Sequence, residues 1–574
     1  MTGHKRRRRQ GSNPEPKDEA LRAADQASAR SGSRPLRGWP RPSVSVEGLI
    51  VITCVFFVAT ANGAFWAGIR NSGVLDESGS WRLLASAAVA IAGLHAILLG
   101  CVLNRWTAKP LLALLLVTTA AAAHFAGRYG VYLDPSMIRN VLRTDTAEAS
   151  ELLTPGLVLS VTMMGVVPAM LVAWVRIKTY PWKRSLLRRV LFLFSAAIVT
   201  TLVLVASFDD LSSLMRNQKS LRYLIAPGNY LVSLAKVLGE DARIADAPRL
   251  VVGADARLVG HEPSTKPHFL VIVVGETVRA QNWGLNGYPR QTTPRLSALD
   301  VVNFKDVTAC GSNTEVSVPC MFSATGRRNY DQARIKRSES LLHVLDRAGI
   351  NVLWRDNQAG CKGVCEGLAF ESFREPRTDP LCDDQGCRDA VMLQGLHDAI
   401  DDNPGDAVVV LHQLGNHGPG YYKRYPPSFR QFVPDCRSAD LGKCSREEIV
   451  NAYDNAILAT DDFLAKAIGM LGQDESHDTA LIYVSDHGES LGEGNLYLHG
   501  FPYAIAPDTQ IKVPMLAWFS KGMQDSAGID MRCARQRADK PASHDNLFHT
   551  VLGLMQVQTR DYVPELDLLK GCEP

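Results

Sequence analysis

The sequence predicts two architectures in series, a five-helix transmembrane domain followed by an α/β domain with a mostly parallel sheet between helix layers. Three observations carry this reading. Five apolar stretches of membrane-spanning length crowd the amino-terminal part of the 574-residue chain. Continuous Val, Ile and Leu runs, separated by helix-length segments, fill the rest, as strands buried on both faces require. Ten of the 12 cysteines lie beyond residue 300, in closely spaced pairs typical of an oxidising compartment.

Residues 1–44 form the first segment, a basic cytoplasmic tail expected to be disordered. It opens with KRRRR at 5–9, and residues 10–42 are rich in Ser, Pro, Arg and Ala without periodic apolar positions. The cluster reads as a solvated, topology-setting arm rather than a footprint for phosphates, so no nucleic-acid partner is expected. A cleavable signal does not fit, because the charged lead is long and four more spans follow the first.

The transmembrane domain occupies 45–208, with spans at 47–69, 82–104, 110–127, 156–175 and 189–207. The basic loops NRWTAK (104–109) and RIKTYPWKRSLLRR (176–189) fall on the same side as the tail, whereas the loops at 70–81 and 128–154 are balanced or acidic. Because positive loops stay cytoplasmic, five spans that start inside leave the long carboxyl-terminal part outside. Residues 209–262 mix apolar and basic positions at near-helical spacing before a polar stretch, and read as a bridging helix and linker along the membrane surface.

The α/β domain spans 263–574. Its strands are read at FLVIVVGE (269–276), NVLWRD (351–356), AVVVLHQLGNHG (407–418), ALIYVSDHGE (480–489) and VPMLAWFS (513–520). In such sheets ligands gather at the carboxyl ends of the strands, where loops set distant side chains side by side. The polar residues of this chain fall there: Glu276 after the first run, His417 after the third, Asp486 and His487 after the fourth, and His499 twelve residues on. Turn and cap chemistry explains one such ending, but not several together.

Two carboxylates and an imidazole suit a divalent ion such as zinc, so Glu276, Asp486 and His487 read as metal ligands. A closed structural site would favour thiolates, whereas this set leaves room for a reacting group. Thr314, inside CGSNTEVSVPC (310–320), is the candidate for that group. A hydroxyl held by zinc loses its proton more readily and can attack phosphorus. Helix capping is the alternative for the same hydroxyl. The cysteines are expected to pair as Cys310 with Cys320, Cys361 with Cys365, Cys382 with Cys387 and Cys436 with Cys444, which leaves Cys533 and Cys572. Zinc-site cysteines are the other reading, but CKGVC and CDDQGC lack the usual CxxC spacing.

The motifs GET (275–277), YPRQTTPRL (288–296), CGSNTEVSVPCMFS (310–323), HGPGYYKRYP (417–426), SDHGESLGE (485–493) and LYLHG (496–500) closely resemble those of a known family. That family is the lipid A phosphoethanolamine transferases of the Gram-negative inner membrane, including the mobile colistin-resistance enzymes. Asn313 departs from the Ser or Thr more usual there. The resemblance covers nearly all of the chain from about residue 45.

It implies an alkaline-phosphatase- or sulfatase-like catalytic domain in the periplasm. It also implies at least one zinc ion on Glu276, Thr314, Asp486 and His487, with Thr314 as the nucleophile. His417 and His499 match two further histidines, which act as acid and base or as ligands. The loop 132–152 resembles the family too: Asn140, Thr144 and Glu148, at i, i+4 and i+8, would share one helix face and offer Glu148 to the ammonium of a zwitterionic head group. A solvated helix face is the plainer reading. Lys362, within CKGVC, either meets substrate phosphate or is simply solvated.

The expected reaction transfers phosphoethanolamine from phosphatidylethanolamine to a lipid A phosphate through a phosphothreonine, giving resistance to polymyxins. A related transferase acting on a lipopolysaccharide core sugar, or a glycerophosphate transferase, is the alternative. A sulfatase lacks support because no CxPxR-type nucleophile stands at Cys310. A non-catalytic zinc-stabilised sensor is the rival from another class.

Overall fold

The computed structural model describes residues 41–71, 80–144, 146–245, 248–259, 266–374, 378–383, 386–396 and 405–572. The expected tail up to residue 40 lies outside them. Ser43 and Val44, assigned to that tail, instead pair in parallel with Arg176 and Ile177.

Among the described residues four helices are long and apolar enough to cross a bilayer: Trp81–Val102, Ala108–Tyr129, Pro155–Trp174 and Trp182–Ala206. The last begins earlier than the apolar run alone suggested, because the basic turn Trp182–Arg189 extends it. The first expected span is a bent pair, Val46–Ala61 and Gly63–Asn71, meeting at 51°. Asn62 supplies the cause. Its Nδ2 donates to the carbonyls of Phe57 and Ala226, each at 2.9 Å, and its Oδ1 accepts from the Ala226 amide at 3.0 Å. A side chain inserted into the helical ladder in this way kinks a helix.

In the loop that follows Ala108–Tyr129, helix α1 (Pro135–Arg143) is capped by Asp134, whose Oδ1 accepts from the Met137 amide at 2.9 Å. It packs on α2 (Gly228–Ala245) of the bridging segment through buried Arg139, which pairs with Glu240 and Asp241 at 3.0 and 3.1 Å. The helix expected to run from Asn140 through Glu148 is interrupted. Thr144 adopts an extended conformation (φ −62°, ψ 129°) and a new helix covers Thr146–Glu151. The three residues therefore do not lie on one continuous helix face, and the side chain of Glu148 lies outside the described residues.

The carboxyl-terminal domain is built on one eight-stranded sheet. Its strands are β1 (His268–Gly275), β2 (Val302–Thr308), β3 (Asn351–Asp356), β4 (Ala369–Ser372), β5 (Ala407–His412), β6 (Asp478–Ser485), β7 (Lys512–Phe519) and β8 (Ala542–Ser543). Their order is β8-β2-β7-β6-β1-β5-β3-β4, and β7 alone runs against its neighbours. Leu270, Ile272 and Val274 of β1 enter one core, and Phe269, Val271 and Val273 enter the other, so both faces are buried. Three strands, β2, β4 and β8, add to those read from the sequence. All five expected or residual cysteine pairs are joined, including Cys533 with Cys572, and Cys54 and Cys101 remain free.

Candidate active site

Register decides which residues meet. β1 and β6 pair in parallel up to Gly275 opposite Ser485, so the next residue on each strand, Glu276 and Asp486, emerges side by side at the carboxyl edge. Both are fully buried. Thr277, one step further, is held at φ 63°, and its hydroxyl donates to Glu276 Oε1 at 2.6 Å. Tyr453 secures this turn, donating to the Thr277 carbonyl at 2.7 Å and accepting from the Arg279 amide at 2.9 Å. Gly415 must be glycine here: a Cβ would come within 2.7 Å of the Glu276 carbonyl oxygen.

Thr314 begins α3 (Thr314–Met321), the segment enclosed by the Cys310–Cys320 disulfide. Asn313 caps that helix, its side chain accepting from the Val316 amide at 3.1 Å, the role a Ser or Thr would fill. Capping is thus done by Asn313, which leaves the Thr314 hydroxyl for other partners. It lies 3.0 Å from Glu276 Oε2, 3.2 Å from Glu276 Oε1 and 3.2 Å from His487 Nε2. His487 Nε2 in turn faces Glu276 Oε1 at 3.3 Å and Asp486 Oδ2 at 3.4 Å.

These residues fit a divalent cation. One ligand atom each from Glu276, Asp486 and His487 lies within 4.8 Å of the other two. His487 Nδ1 lies 2.9 Å from the Gly488 carbonyl, which can only accept, so Nδ1 carries a proton and Nε2 is the nitrogen turned to the cluster. Asp486 Oδ1 accepts from the amides of Thr277 and His487 at 3.1 and 2.7 Å, whereas Asp486 Oδ2 is buried without a hydrogen bond among the described residues. A buried carboxylate oxygen without a hydrogen bond, set beside nitrogen and oxygen donors, fits the ligand shell of a divalent cation.

The electrostatics agree. Burial pushes the Asp486 carboxyl up to about 6, and the charge of Glu276 adds to it. Burial works against a charge on His487, yet Asp486 and Glu276 hold the imidazole up at about 10. Burial likewise opposes the charge on Glu276, but the hydrogen bond and charge of His487, with His417 and His499 beyond, keep it well below the usual carboxylate range. The pocket therefore demands positive charge between its carboxylates.

His499 and His417 close the site. The His499 ring stands 4.3 Å from that of His487 and 6.0 Å from that of His417. His499 Nδ1 faces buried Glu489 Oε2 at 3.4 Å. Glu489 shares the motif of Asp486 and His487, but its contact with His499 depends on the turn after β6. A second brace has no local signature. Ser317 of α3 donates to the Asp486 carbonyl at 2.5 Å, and His544 bonds the Ser485 carbonyl at 2.9 Å and the Cys310 amide at 3.1 Å.

The remaining candidates lie around the cluster. Arg143, at the end of α1, reaches Glu315 Oε1 at 2.5 Å, next to Thr314, and Lys336 meets the same oxygen at 2.5 Å. Lys362 donates to the Ala359 carbonyl at 2.9 Å and, with Arg143 and Lys336, lines a cavity of about 330 Å³. Asn140 and Thr144 are half-buried, and the Thr144 hydroxyl donates to the Asn140 carbonyl at 2.9 Å. Neither enters the cluster around Thr314.

Comparison with known proteins follows the same division. Residues 91–242 match the family model "Phosphoethanolamine transferase EptA/EptB", and residues 268–557 match the sulfatase model. Phosphoethanolamine transferase EptA of Escherichia coli K12 is 38% identical, covering 93% of this chain and 98% of its own length. Phosphatidylethanolamine transferase Mcr-1 of Escherichia coli is also 38% identical, covering 92% and 98%. The solved integral membrane protein EptA of Neisseria meningitidis superposes with a TM-score of 0.89 at 36% identity, covering 93% of this chain and 99% of that one.

Proposed function

Since the chain belongs to the EptA/EptB phosphoethanolamine transferase family, we propose that it moves phosphoethanolamine from phosphatidylethanolamine to a phosphate of lipid A through a phosphothreonine at Thr314. The observation that carries this reading is the position of the Thr314 hydroxyl against Glu276 and His487, in a buried cluster whose carboxylates draw positive charge. Glu276, Thr314, Asp486 and His487 would hold zinc. Bound there, zinc lowers the pKa of the hydroxyl and offsets charge on the transferred group.

The chain's own residues account for the rest. Glu276 accepts the Thr314 hydrogen bond and orients the oxygen. That oxygen passes its proton to Glu276 and forms a bond to phosphorus, and the bond from phosphorus to the glyceryl oxygen breaks. The departing diacylglycerol takes a proton, for which His499 is the nearer donor and His417 the second. In the next step an acceptor phosphate oxygen attacks the phosphothreonine, and Thr314 leaves as the bond it made is broken, taking its proton back from Glu276. The amino end of α3, eight residues long, adds partial positive charge beside the modified residue. Arg143, Lys336 and Lys362 give the adjoining cavity the charge a phosphodiester needs, and the loop with Asn140, Thr144 and Glu148 would face the ammonium.

Both lipids lie in one bilayer, so anchoring the catalytic domain to it raises their encounter with the site. The amino terminus is then cytoplasmic, the chain sits in the Gram-negative inner membrane, and the catalytic domain faces the periplasm. An added ammonium weakens the attraction of lipid A for polymyxins. Mass spectrometry of lipid A from cells expressing the chain tests the reading. A gain of one phosphoethanolamine is expected. An unchanged mass despite good expression points to a core-sugar acceptor, and an added glycerophosphate to the other alternative.

A further inference from the structure

On the far side of the His417 loop lies a second cavity, of about 440 Å³, that the chemistry above does not use. Arg388, Lys423, Arg424 and Arg437 bound it, with Asp389 in its wall. Gly415 lines it and abuts the Glu276 backbone, so a single layer of chain separates the cavity from the catalytic cluster. Arg424 Nε donates to the His417 carbonyl at 2.7 Å, which ties the cavity to a residue of the site.

Part of the charge is met within the protein: Glu151 takes Lys423 and Arg424, and two carboxylates, Asp383 and Asp389, line the cavity. Asp389 is engaged by the amides of Leu414 and Gly415 at 2.8 and 3.0 Å, and so braces the loop. Arg437 reaches Asp435 only at 3.8 Å, and that carboxylate is already held by Arg430 at 2.6 Å and by the Tyr425 hydroxyl at 2.7 Å. Arg388 is exposed and forms no ion pair among the described residues. Among the described residues Arg388 and Arg437 are thus the two guanidinium groups of the cavity without a close carboxylate partner, and such groups on a concave surface are suited to bidentate binding of phosphate.

Height above the membrane narrows the ligand. Lys423 and Arg424 pair with Glu151 at 3.2 and 2.8 Å. Glu151 ends the short helix Thr146–Glu151, and the span Pro155–Trp174 starts just after it. These cations therefore stand at the level of the lipid head groups. An adjoining cavity of about 490 Å³ shares Arg388, Asp389, Gly415 and Arg424, so the basic surface continues as a cleft wide enough for sugar as well as phosphate.

We propose that this cleft binds a second phosphate of the acceptor, one that is not being modified. The inference rests on the functional reading above and deepens it. A diphosphorylated glycolipid is held at two points, its reacting phosphate over Thr314 and its other phosphate between Arg388 and Arg437. The cleft thereby selects which acceptor phosphate reaches the nucleophile. Anionic phospholipids carry the same chemistry, so the test must separate the two sources.

The full-length enzyme is assayed in detergent micelles with phosphatidylethanolamine as donor, and with diphosphoryl or monophosphoryl lipid A as acceptor. The double variant Arg388→Ser/Arg437→Ser is compared with wild type. The expected result is a KM for the diphosphoryl acceptor raised about tenfold, kcat changed by less than about twofold, and no added effect with the monophosphoryl acceptor. Diacylglycerol release without acceptor, measured in the same preparation, reports that the variant is folded. An unchanged KM for the diphosphoryl acceptor overturns the inference. So does an equal rise for both acceptors, or equal inhibition of wild type and variant by added phosphatidylglycerol together with an unchanged acceptor preference. Wild-type transfer is read first; its absence with both acceptors would overturn the functional reading itself, whereas failure of the cleft alone appears only in the comparison of variant and acceptor.

Discussion

Thr314 Oγ1 stands 3.0 Å from Glu276 Oε2, although 38 residues separate the two in sequence. Glu276 leaves the end of β1, and Thr314 follows β2 and the first cysteine of the disulfide that encloses it. A hydroxyl in this setting has one partner that accepts its hydrogen and, at 3.2 Å, an imidazole nitrogen that faces the same space. The cluster is thus arranged around the oxygen rather than around the protein's packing.

Removal of that oxygen should abolish turnover without unfolding the chain. Thr314→Ala is expected to lower kcat by at least about a thousandfold, with thermal stability changed by less than about 1 kcal/mol. Thr314→Ser retains the oxygen and should keep measurable transfer. Equal loss in both variants would mean that the methyl group, not the hydroxyl, matters.

Metal content should follow the buried donors. Asp486→Asn and His487→Ala are each expected to weaken zinc binding by at least about 100-fold, read as metal per chain after dialysis. Ser317→Ala, which releases the Asp486 carbonyl, should act as a positioning change and weaken it by about tenfold. Chelation should stop transfer, and zinc should restore it. Full zinc occupancy in His487→Ala would remove the ligand assignment.

Loss of the disulfide around the nucleophile should cost stability and rate together. Opening Cys310–Cys320, a loop with a sequence separation of 10, is expected to cost about 3 kcal/mol on the chain-entropy account. The double variant Cys310→Ser/Cys320→Ser should also lower kcat, because α3 is no longer fixed at its amino end. Chemical denaturation and initial rates check the two effects separately.

Acidification should destabilise the domain through a buried imidazole distant from the metal cluster. Burial pushes His549 down to about 4, with Arg328 adding to it, and its Nδ1 accepts from the Val563 amide at 3.1 Å. The folded state keeps this ring neutral while the unfolded chain protonates it near 6.5. Its contribution is therefore complete above pH 6.5 and is lost as pH falls from 6.5 towards 4. Between pH 7 and 5 the wild type should lose about 2 kcal/mol more than His549→Gln, measured by urea unfolding. Equal losses would contradict the assignment.

Legibility in the sequence followed burial and local order. β1, β5 and β6 are buried along their whole length and so read as continuous apolar runs, and the residues that end them carry the site. β2 was missed because its burial alternates, and VNFKDVT reads as a mixed segment. β8 is two residues long and owes its place to pairing with β2. The bend at Asn62 was marked by one amide in an apolar run, but its partner Ala226 lies 164 residues away. The break at Thr144 carries no proline or glycine, so i, i+4 spacing gave no warning. Ser317 and His544, 227 residues apart, meet only because β8 closes the sheet beside β2. Local pattern located the reactive groups; the groups that brace them required the fold.

The central claim is that Thr314 carries the transferred group. The most direct measurement incubates the enzyme with phosphatidylethanolamine alone, quenches it, and maps the digested chain by mass spectrometry. A peptide containing residues 310–320 that gains one phosphoethanolamine at Thr314, and loses it when lipid A is added, is the result expected. The peptide left unmodified while lipid A is still converted would contradict a covalent route through this residue.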